Sequence, residues 1–174
     1  NDGNFSKKSI SIRVNADLSN NYGNLIQRIS TFVVKNCDSK IFPSTNLIDA
    51  DRILLEKIKK ITINYFLVMN DMKFDQALKG VMDLLNHANA YVNSQAPWKL
   101  KKEDPERMKV VLYIVLNIII KSSIMLYPFI PKSAEKALSF FNISKDQITF
   151  QDLSLLIQDE IKINNPEPLF PRIE

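Results

Sequence analysis

The fold is organised around residues 89–131, which read NAYVNSQAPWKLKKEDPERMKVVLYIVLNIIIKSSIMLYPFIP. Pro97 cannot continue a preceding helix, because proline lacks the backbone N–H and its ring clashes with the previous turn. The chain is therefore expected to turn at Ala96-Pro97-Trp98, with the only tryptophan just outside a helix end. An aromatic ring with basic neighbours offers a stacking face to a base and positive charge to a phosphate. This turn is a candidate nucleic-acid contact.

Two interpretations of the turn stay open from its local sequence. Lys99, Lys101 and Lys102 follow the tryptophan and can contact phosphates. However, a lysine cluster in a loop is commonly just solvated, and a lone tryptophan is commonly a core anchor. One aromatic and three lysines make a weak signal, so other observations are needed.

The same stretch continues as the most apolar helix of the chain. Asp104 is its predicted N-cap, Pro105 suits the first helical position, and Glu106 lies in the first turn, where the helix dipole favours an anion. The helix is expected to run to Tyr127. Polar or helix-breaking residues interrupt it well short of the ~18 apolar residues of a membrane span: Asn117, Lys121, Ser122, Ser123 and Pro128. We predict a buried core helix.

Apolar residues at steps of three and four predict four further helices and a short sixth. The first begins at Asn15 as N-cap, the second spans about residues 46–70, and the third follows Asp71 to about Ser94. A fifth is expected over residues 132–141. It should stop at Asn142 in a left-handed conformation, and a short helix over residues 152–161 follows.

These patterns predict an all-α protein, a helical bundle of about five main helices with few and marginal strands. Residues 1–14 are expected to form an extended lead-in, because Ile10, Ile12 and Val14 alternate. Residues 15–161 would form the bundle. Residues 162–174 would form an extended tail that contains three prolines.

The composition narrows the possible functions of the 174-residue chain, whose length suits one domain. Only 3 glycines argue against a glycine-lined phosphate cradle. A single cysteine, Cys37, and a single histidine, His87, argue against an internal disulfide and against a metal centre built on these residue types. We find no Ser/His/Asp set and no Walker-type loop, so we predict no catalytic residue and no metal site. A net charge of +4 is compatible with a polyanionic partner.

A row of polar side chains runs beside the apolar face of the first helix. Asn24, Arg28, Thr31 and Lys35 are spaced by three or four residues. Residues at this spacing are neighbours on a helix surface, so an amide and a guanidinium one turn apart point the same way. Taken alone, such a row is more often a solvated face.

Four segments of the chain follow a known pattern in the same order. They are DGNFSKKSISIRVNADLSNNYGNLIQR, NAYVNSQAPWKL, LYPFIPKSAEKALSFFNI and PEPLFPRIE. The first is similar to the D-G-D-F-S … R-x-N-x-D-L-x-N-x-x-G-N-L-x-x-R pattern of methionyl-tRNA synthetases, which lies just after their catalytic domain. The resemblance covers most of the chain except residues 36–73, and Asn4 stands where the pattern usually has Asp. The Asn/Ile/Lys-rich composition resembles a bacterial member of the family.

The resemblance implies a C-terminal anticodon-binding domain that docks the anticodon loop of methionine tRNA. The family's contacting residues, the Asn and Arg of G-N-L-x-x-R and the Trp of A-P-W, fall here on Asn24, Arg28 and Trp98. Asn offers donor and acceptor edges, Arg a planar donor fork, and Trp a platform for unstacked bases. The RNA backbone would then be contacted by nearby lysines, namely Lys99, Lys101, Lys102 and Lys35.

The family's catalytic signatures, H-I-G-H and K-M-S-K-S, are missing from the chain. Residues 6–9, SKKS, are no substitute, because their order is wrong. The resemblance therefore implies a fragment of a methionine–tRNA ligase that holds no cofactor and is inactive alone. ATP, methionine and a divalent metal ion would belong to the parent's catalytic domain. The implied partners are the tRNA(Met) anticodon loop and that domain, in the cytoplasm, with no membrane and no DNA.

Two alternatives remain beside this interpretation. One is the anticodon-binding domain of another class I aminoacyl-tRNA synthetase, against which G-N-L-x-x-R and A-P-W argue. The other is a non-catalytic helical protein-interaction module, with Trp98 in its core and the lysines merely solubilising. The exposure of Trp98 separates the second alternative from an RNA-binding domain.

Overall fold

The computed structural model describes residues 6–151 and 153–170. Within them lie seven α-helices: α1 (Lys7–Arg13), α2 (Asn24–Asn36), α3 (Asp49–Asn70), α4 (Phe74–Gln95), α5 (Pro97–Glu103), α6 (Pro105–Leu126) and α7 (Pro131–Ser139). A π-helix, Val14–Gly23, joins α1 to α2, and a 3₁₀ turn spans Lys145–Gln147. The strands β1 (Lys40–Ile41) and β2 (Ile161–Lys162) pair antiparallel, with Lys40 opposite Lys162. The predicted all-α fold class is confirmed.

Helix α6 is the core of the bundle. Every residue from 110 to 126 is buried, and α2, α3, α4, α5 and α7 all pack against this helix. A helix that is apolar all round must be covered on every side. In the described part of the chain, α6 alone is long and apolar enough to cross a membrane, and 94% of the window concerned is buried inside the protein. The prediction of a core helix is confirmed.

Two buried polar residues of α6, Asn117 and Lys121, bind the irregular segment that follows residue 152. The Asn117 side-chain oxygen accepts a hydrogen bond of 2.8 Å from the Ile157 N–H. The Lys121 ammonium donates to the backbone carbonyls of Leu153 and Leu155. Because these backbone groups bond to α6, they are not free for a helical ladder.

The short helix predicted over residues 152–161 is therefore wrong. Residues 153–155 form a turn and a bend, residues 156–158 have no regular structure, and β2 follows at residue 161. Asp152, the predicted first residue of that helix, lies outside the described residues. The prediction of a left-handed stop at Asn142 is confirmed, since its φ is 58°.

The extended lead-in is also wrong for the residues that the structure describes. Lys7–Arg13 is helical, and Asn15 lies inside the π-helix, so the prediction that a helix begins at Asn15 is wrong. Ile10 and Val14 are four residues apart, and this spacing fits one face of a helix as well as it fits a strand. Residues 1–5, which include Asn4, lie outside the described part. The proposed division at residues 14/15 and 161/162 stays a prediction.

Pro97 starts a helix, where the sequence predicted only a turn. Helix α4 ends at Gln95, Ala96 adopts a left-handed conformation with φ 45° and ψ 63°, and Pro97 is the first residue of α5. Proline suits this position, because its fixed φ is helical and its missing N–H would be unbonded there anyway. Trp98 consequently lies in the first turn of a seven-residue helix, not outside a helix end.

The C-terminal tail returns to the start of the bundle. The Phe170 ring centre lies 6.0 Å from that of Tyr22, which is fully buried. The Gln27 side chain donates to the Pro166 carbonyl over 3.3 Å. The tail therefore covers the junction between the π-helix and α2. It leaves no room for a larger side chain at Gly23. A Cβ at Gly23 would lie 3.1 Å from the Phe170 ring.

Candidate nucleic-acid interface

Arg28 and Trp98 are brought together by two different helices. Arg28 lies in the second turn of α2, and Trp98 in the first turn of α5. The Arg28 guanidinium carbon is 6.0 Å from the centre of the tryptophan ring, within the range of a cation–π contact. Trp98 is 44% exposed, so a large part of its ring is accessible from solvent. The alternative that placed Trp98 in the core is wrong.

Asparagines of α4 hold the Arg28 guanidinium. Its Nη1 donates to the Asn93 side-chain oxygen, and its Nη2 to that of Asn89, both over 3.3 Å. Its Nε is buried and has no hydrogen-bond partner among the residues that the structure describes. No carboxylate in that part of the chain forms an ion pair with Arg28. Burial lowers the pKa of Arg28. The cation therefore rests on neutral amides with one donor unused.

A relay of asparagine amides orients this support. The Asn89 Nδ2 donates to the Asn21 side-chain oxygen over 2.7 Å, and the Asn21 Nδ2 donates to that of Asn86 over 2.9 Å. With its amide nitrogen held in this way, Asn89 presents its oxygen to Arg28. Asn21 belongs to the π-helix, a conformation that often marks functional sites.

This relay was not predicted from the sequence. Asn86, Asn89 and Asn93 are spaced by three and four residues in α4, so they lie on one helix face. That spacing was available as a signal. The spacing did not identify Arg28 as the partner of this face, because their pairing depends on how α4 crosses the π-helix and α2.

Asn24, the second predicted RNA contact of α2, lies in a neighbouring groove. It is exposed, and together with Ser19, Gln27 and Leu169 it lines a groove between the π-helix and the tail. The structure thus places it on the same helix as Arg28, one turn earlier, but against the tail.

The four predicted lysines are exposed on the two helices that carry the site. Lys99, Lys101 and Lys102 lie on α5, and Lys35 lies in the last turn of α2. None of them forms an ion pair within residues 6–151 and 153–170. Burial raises the pKa of the Cys37 thiol, and the nearby positive charges of Lys109 and Lys101 oppose that rise. The charge of Lys101 on α5 is therefore felt at Cys37, the residue that follows α2.

Metal-binding chemistry is absent from the same described residues, where no group of three or more His, Cys, Asp or Glu side chains could hold a metal ion. The shortest ion pair there, 2.5 Å between Asp51 and Arg107, is mostly buried and lies at the starts of α3 and α6. The site thus offers stacking, amide edges and positive charge, which are the means by which proteins bind single-stranded RNA.

Known proteins resemble the chain along nearly its whole length. A family model described as the anticodon binding domain of methionyl tRNA ligase matches residues 43–174. A methionine–tRNA ligase of Rickettsia felis is 37% identical over 178 residues, which cover 99% of this chain and 35% of that protein. That of Brucella suis is 36% identical over 172 residues, which cover 98% of this chain and 33% of the relative.

Solved structures agree with these relatives. The free Mycobacterium tuberculosis methionyl-tRNA synthetase superimposes with a TM-score of 0.90 at 28% identity, over 98% of this chain and 35% of that one. The same enzyme bound by methionyl-adenylate gives a TM-score of 0.89 at 27% identity, over 96% of this chain and 34% of that one. The chain spans about a third of the length of the relatives that it matches.

Proposed function

Since the chain belongs to the family of anticodon-binding domains of methionyl-tRNA ligases, we propose that it binds the anticodon loop of a methionine tRNA. The contacts we assign to this interaction are Asn24, Arg28 and Trp98. These residues occupy the family's motif positions, and Arg28 and Trp98 meet on the surface.

The observation that carries this proposal is the state of Arg28. A half-buried guanidinium without a carboxylate partner in the described residues, and with its Nε unbonded, is costly for a protein to maintain. A phosphate or base acceptor beside the guanidinium would offset the cost of keeping its positive charge without a carboxylate. Arginine also presents a planar face on which a base can stack.

Trp98 supplies the stacking surface of the proposed site. Bases in a loop can unstack from one another and lie on an exposed aromatic ring, whereas bases in a helix cannot. With 44% of its surface exposed, the ring is accessible, and the guanidinium beside it adds positive potential. Asn24 provides hydrogen-bonding edges one helical turn from Arg28.

The RNA backbone is assigned to the exposed lysines of α5 and to Lys35. Phosphate contacts fix position and contribute affinity without sequence preference, whereas base contacts carry the preference. Lysine suits the first task as a compact and flexible charge. The proposed site thus has a base-reading part, Asn24, Arg28 and Trp98, and exposed lysines that contribute charge.

For the whole protein we propose the activity of its longer relatives, the ligation of methionine to tRNA(Met) with ATP and a divalent metal ion in the cytoplasm. The methionyl-adenylate in the M. tuberculosis enzyme supports activation of methionine by ATP. Methionine, ATP and metal are assigned to a catalytic domain in the part of the protein that this chain does not span. No step of that chemistry is assigned to residues of this chain.

A titration tests the proposal. Trp98 is the only tryptophan, so its fluorescence reports on the proposed site alone. We expect methionine tRNA to quench this fluorescence, and a tRNA with a changed anticodon to bind more weakly at the same salt concentration. Equal affinity for both tRNAs would contradict anticodon recognition.

A further inference from the structure

The helix that carries Trp98 begins at a strained residue. Ala96 has a φ of 45°, a left-handed conformation that residues with a Cβ adopt only at an energetic cost. Such strain persists where the surrounding structure holds it in place, and it is often found at binding sites. Helix α5 has seven residues, too few to be stable without support. Its packing against α6, where Pro97 is buried and Leu100 meets the core, supports it, and hydrogen bonds at its two ends add to that support.

Both ends of α5 are fastened to one residue, Arg107. Gln95 precedes the start of the helix, and its side-chain oxygen accepts a hydrogen bond of 2.6 Å from the Arg107 Nη2. Asp104 follows the end of the helix, and its carboxylate accepts one of 3.0 Å from the Arg107 backbone N–H. Arg107 thus holds the residues on both sides of α5, the helix that carries Trp98.

Arg107 is itself immobilised by the start of α3. Its Nη1 and Nη2 bind the two oxygens of Asp51 over 2.5 and 2.7 Å, and Asp51 is fully buried. The Tyr91 hydroxyl donates to the same carboxylate over 2.5 Å. A bidentate pair of this kind fixes direction as well as distance. The guanidinium therefore has one orientation in which it can reach Gln95.

We propose that Arg107 is a positioning residue for RNA recognition: fixed by Asp51, it fastens α5 through Gln95 and so holds the Trp98 ring beside Arg28. This inference rests on the proposed function of the Arg28–Trp98 site. Arg107 does not contact RNA in this account, and its effect on RNA passes entirely through α5.

Gln95 is the informative position for a test. Gln95→Ala removes one fastening of α5 but leaves the Asp51–Arg107 pair intact, so the fold is preserved. Gln95→Glu keeps an acceptor for the guanidinium. Glu106→Gln is the matched control, because Glu106 neighbours Arg107 in sequence but binds the exposed Lys109 instead. Arg107→Lys is a second variant, which keeps the charge but loses the planar fork.

Two measurements are made on the 174-residue chain: the fluorescence anisotropy decay of Trp98 without RNA, and the affinities for methionine tRNA and for an anticodon-changed tRNA. For Gln95→Ala and Arg107→Lys we expect faster local motion of the ring. We also expect about a threefold or greater loss of discrimination between the two tRNAs. Gln95→Glu and Glu106→Gln should match the unaltered protein in both measurements.

Unchanged ring motion in Gln95→Ala would overturn the proposal, and so would an equal defect in Gln95→Glu, which keeps the acceptor. Faster motion with full discrimination would also overturn it, provided that Trp98→Ala does reduce discrimination. If Trp98→Ala itself leaves discrimination intact, the proposed function of the site has failed instead. The two failures are therefore distinguishable.

Discussion

The Arg28 guanidinium carbon lies 6.0 Å from the centre of the Trp98 ring, and this contact joins helices α2 and α5 at the surface of the bundle. No carboxylate in the described part of the chain pairs with the arginine. The arginine rests on two asparagine oxygens, and the tryptophan on a short helix that is fastened at both ends. The site is therefore formed in advance and still has polar and stacking capacity to offer a ligand.

The lysines of α5 are expected to contribute charge and not sequence preference. Changing Lys99, Lys101 or Lys102 to Ala should weaken binding of both tRNAs about equally. If the altered lysine binds a phosphate, its removal should lower the slope of log affinity against log salt by close to one. Lys59→Ala, at an exposed position of α3, serves as the control. Titrations of each variant with both tRNAs at several salt concentrations measure the affinities and the salt dependence. A lysine variant that lost discrimination between anticodons would contradict the assignment.

The centre of α6 should be the part of the fold least tolerant of charge. Ile118 is fully buried, and Ile118→Lys would place an unpaired ammonium in the core, at a cost of about 4 kcal/mol or more in the free energy of unfolding. Ile63→Lys makes the same substitution at a position that is 50% exposed, where we expect a change within about 0.5 kcal/mol. Urea denaturation measures both. Equal stability of the two variants would show that α6 is not the core helix.

The buried Asp51 carboxylate should make stability fall at acid pH. Burial alone would raise the pKa of Asp51, but hydrogen bonds from Arg107, Tyr91 and the Ile48 N–H outweigh it and hold the pKa below its usual value. A carboxyl whose pKa is lowered by folding stabilises the protein fully above the pKa of the unfolded chain, about 3.9. That stabilisation is lost as the pH falls through the lower, folded-state value.

Asp51→Asn tests this dependence, because the amide does not titrate. The free energy of unfolding of the variant should lie below that of the unaltered protein at pH 7. The difference should shrink below about pH 4, as Asp51 is protonated. A difference that stayed constant down to the onset of acid unfolding would contradict the lowered pKa.

The chain alone is expected to show no methionine-dependent exchange of pyrophosphate with ATP. It contains neither of the family's catalytic signatures, and no residue group in its sequence is suited to binding ATP phosphates. The assay uses the purified 174-residue chain with methionine, ATP and labelled pyrophosphate. Exchange above a protein-free blank would reveal a catalytic centre that the account lacks.

Features that depend on local sequence could be predicted, and features that depend on helix crossing could not. The apolar run of α6, the N-cap Asp104 and the left-handed Asn142 are local, and the structure has all three. The support of Arg28 by Asn89 is a long-range contact, which no spacing within one helix specifies. Helix α1 was missed because the alternation of Ile10, Ile12 and Val14 was interpreted as an extended segment.

The same distinction between local and long-range features applies to the site. Arg28 and Trp98 were each identified from a motif, but their meeting follows from the packing of α2 and α5 against α6. Gln95 and Arg107 gave no signal as partners, because a buried ion pair and its amide neighbour come from three different helices. Pro97 was interpreted only as a helix breaker, although it also suits the first position of a new helix.

The most direct test of the account is the discrimination between tRNAs by Trp98→Ala. A stacking platform contributes ~1–3 kcal/mol per base, so affinity for the tRNA with the CAU anticodon should fall roughly tenfold or more. Affinity for an anticodon-changed tRNA should change far less. Arg28→Ala should act in the same direction. Phe74→Ala, at an aromatic ring that is 49% exposed at the start of α4, is the control and should leave discrimination intact.

The ratio of the two affinities is the quantity measured, at one fixed salt concentration and alongside the melting temperature of each variant. We expect Trp98→Ala to reduce this ratio about tenfold while the melting temperature stays close to that of the unaltered protein. A Trp98→Ala protein that keeps the full ratio and melts at a much lower temperature would contradict it, because Trp98 would then be a structural residue.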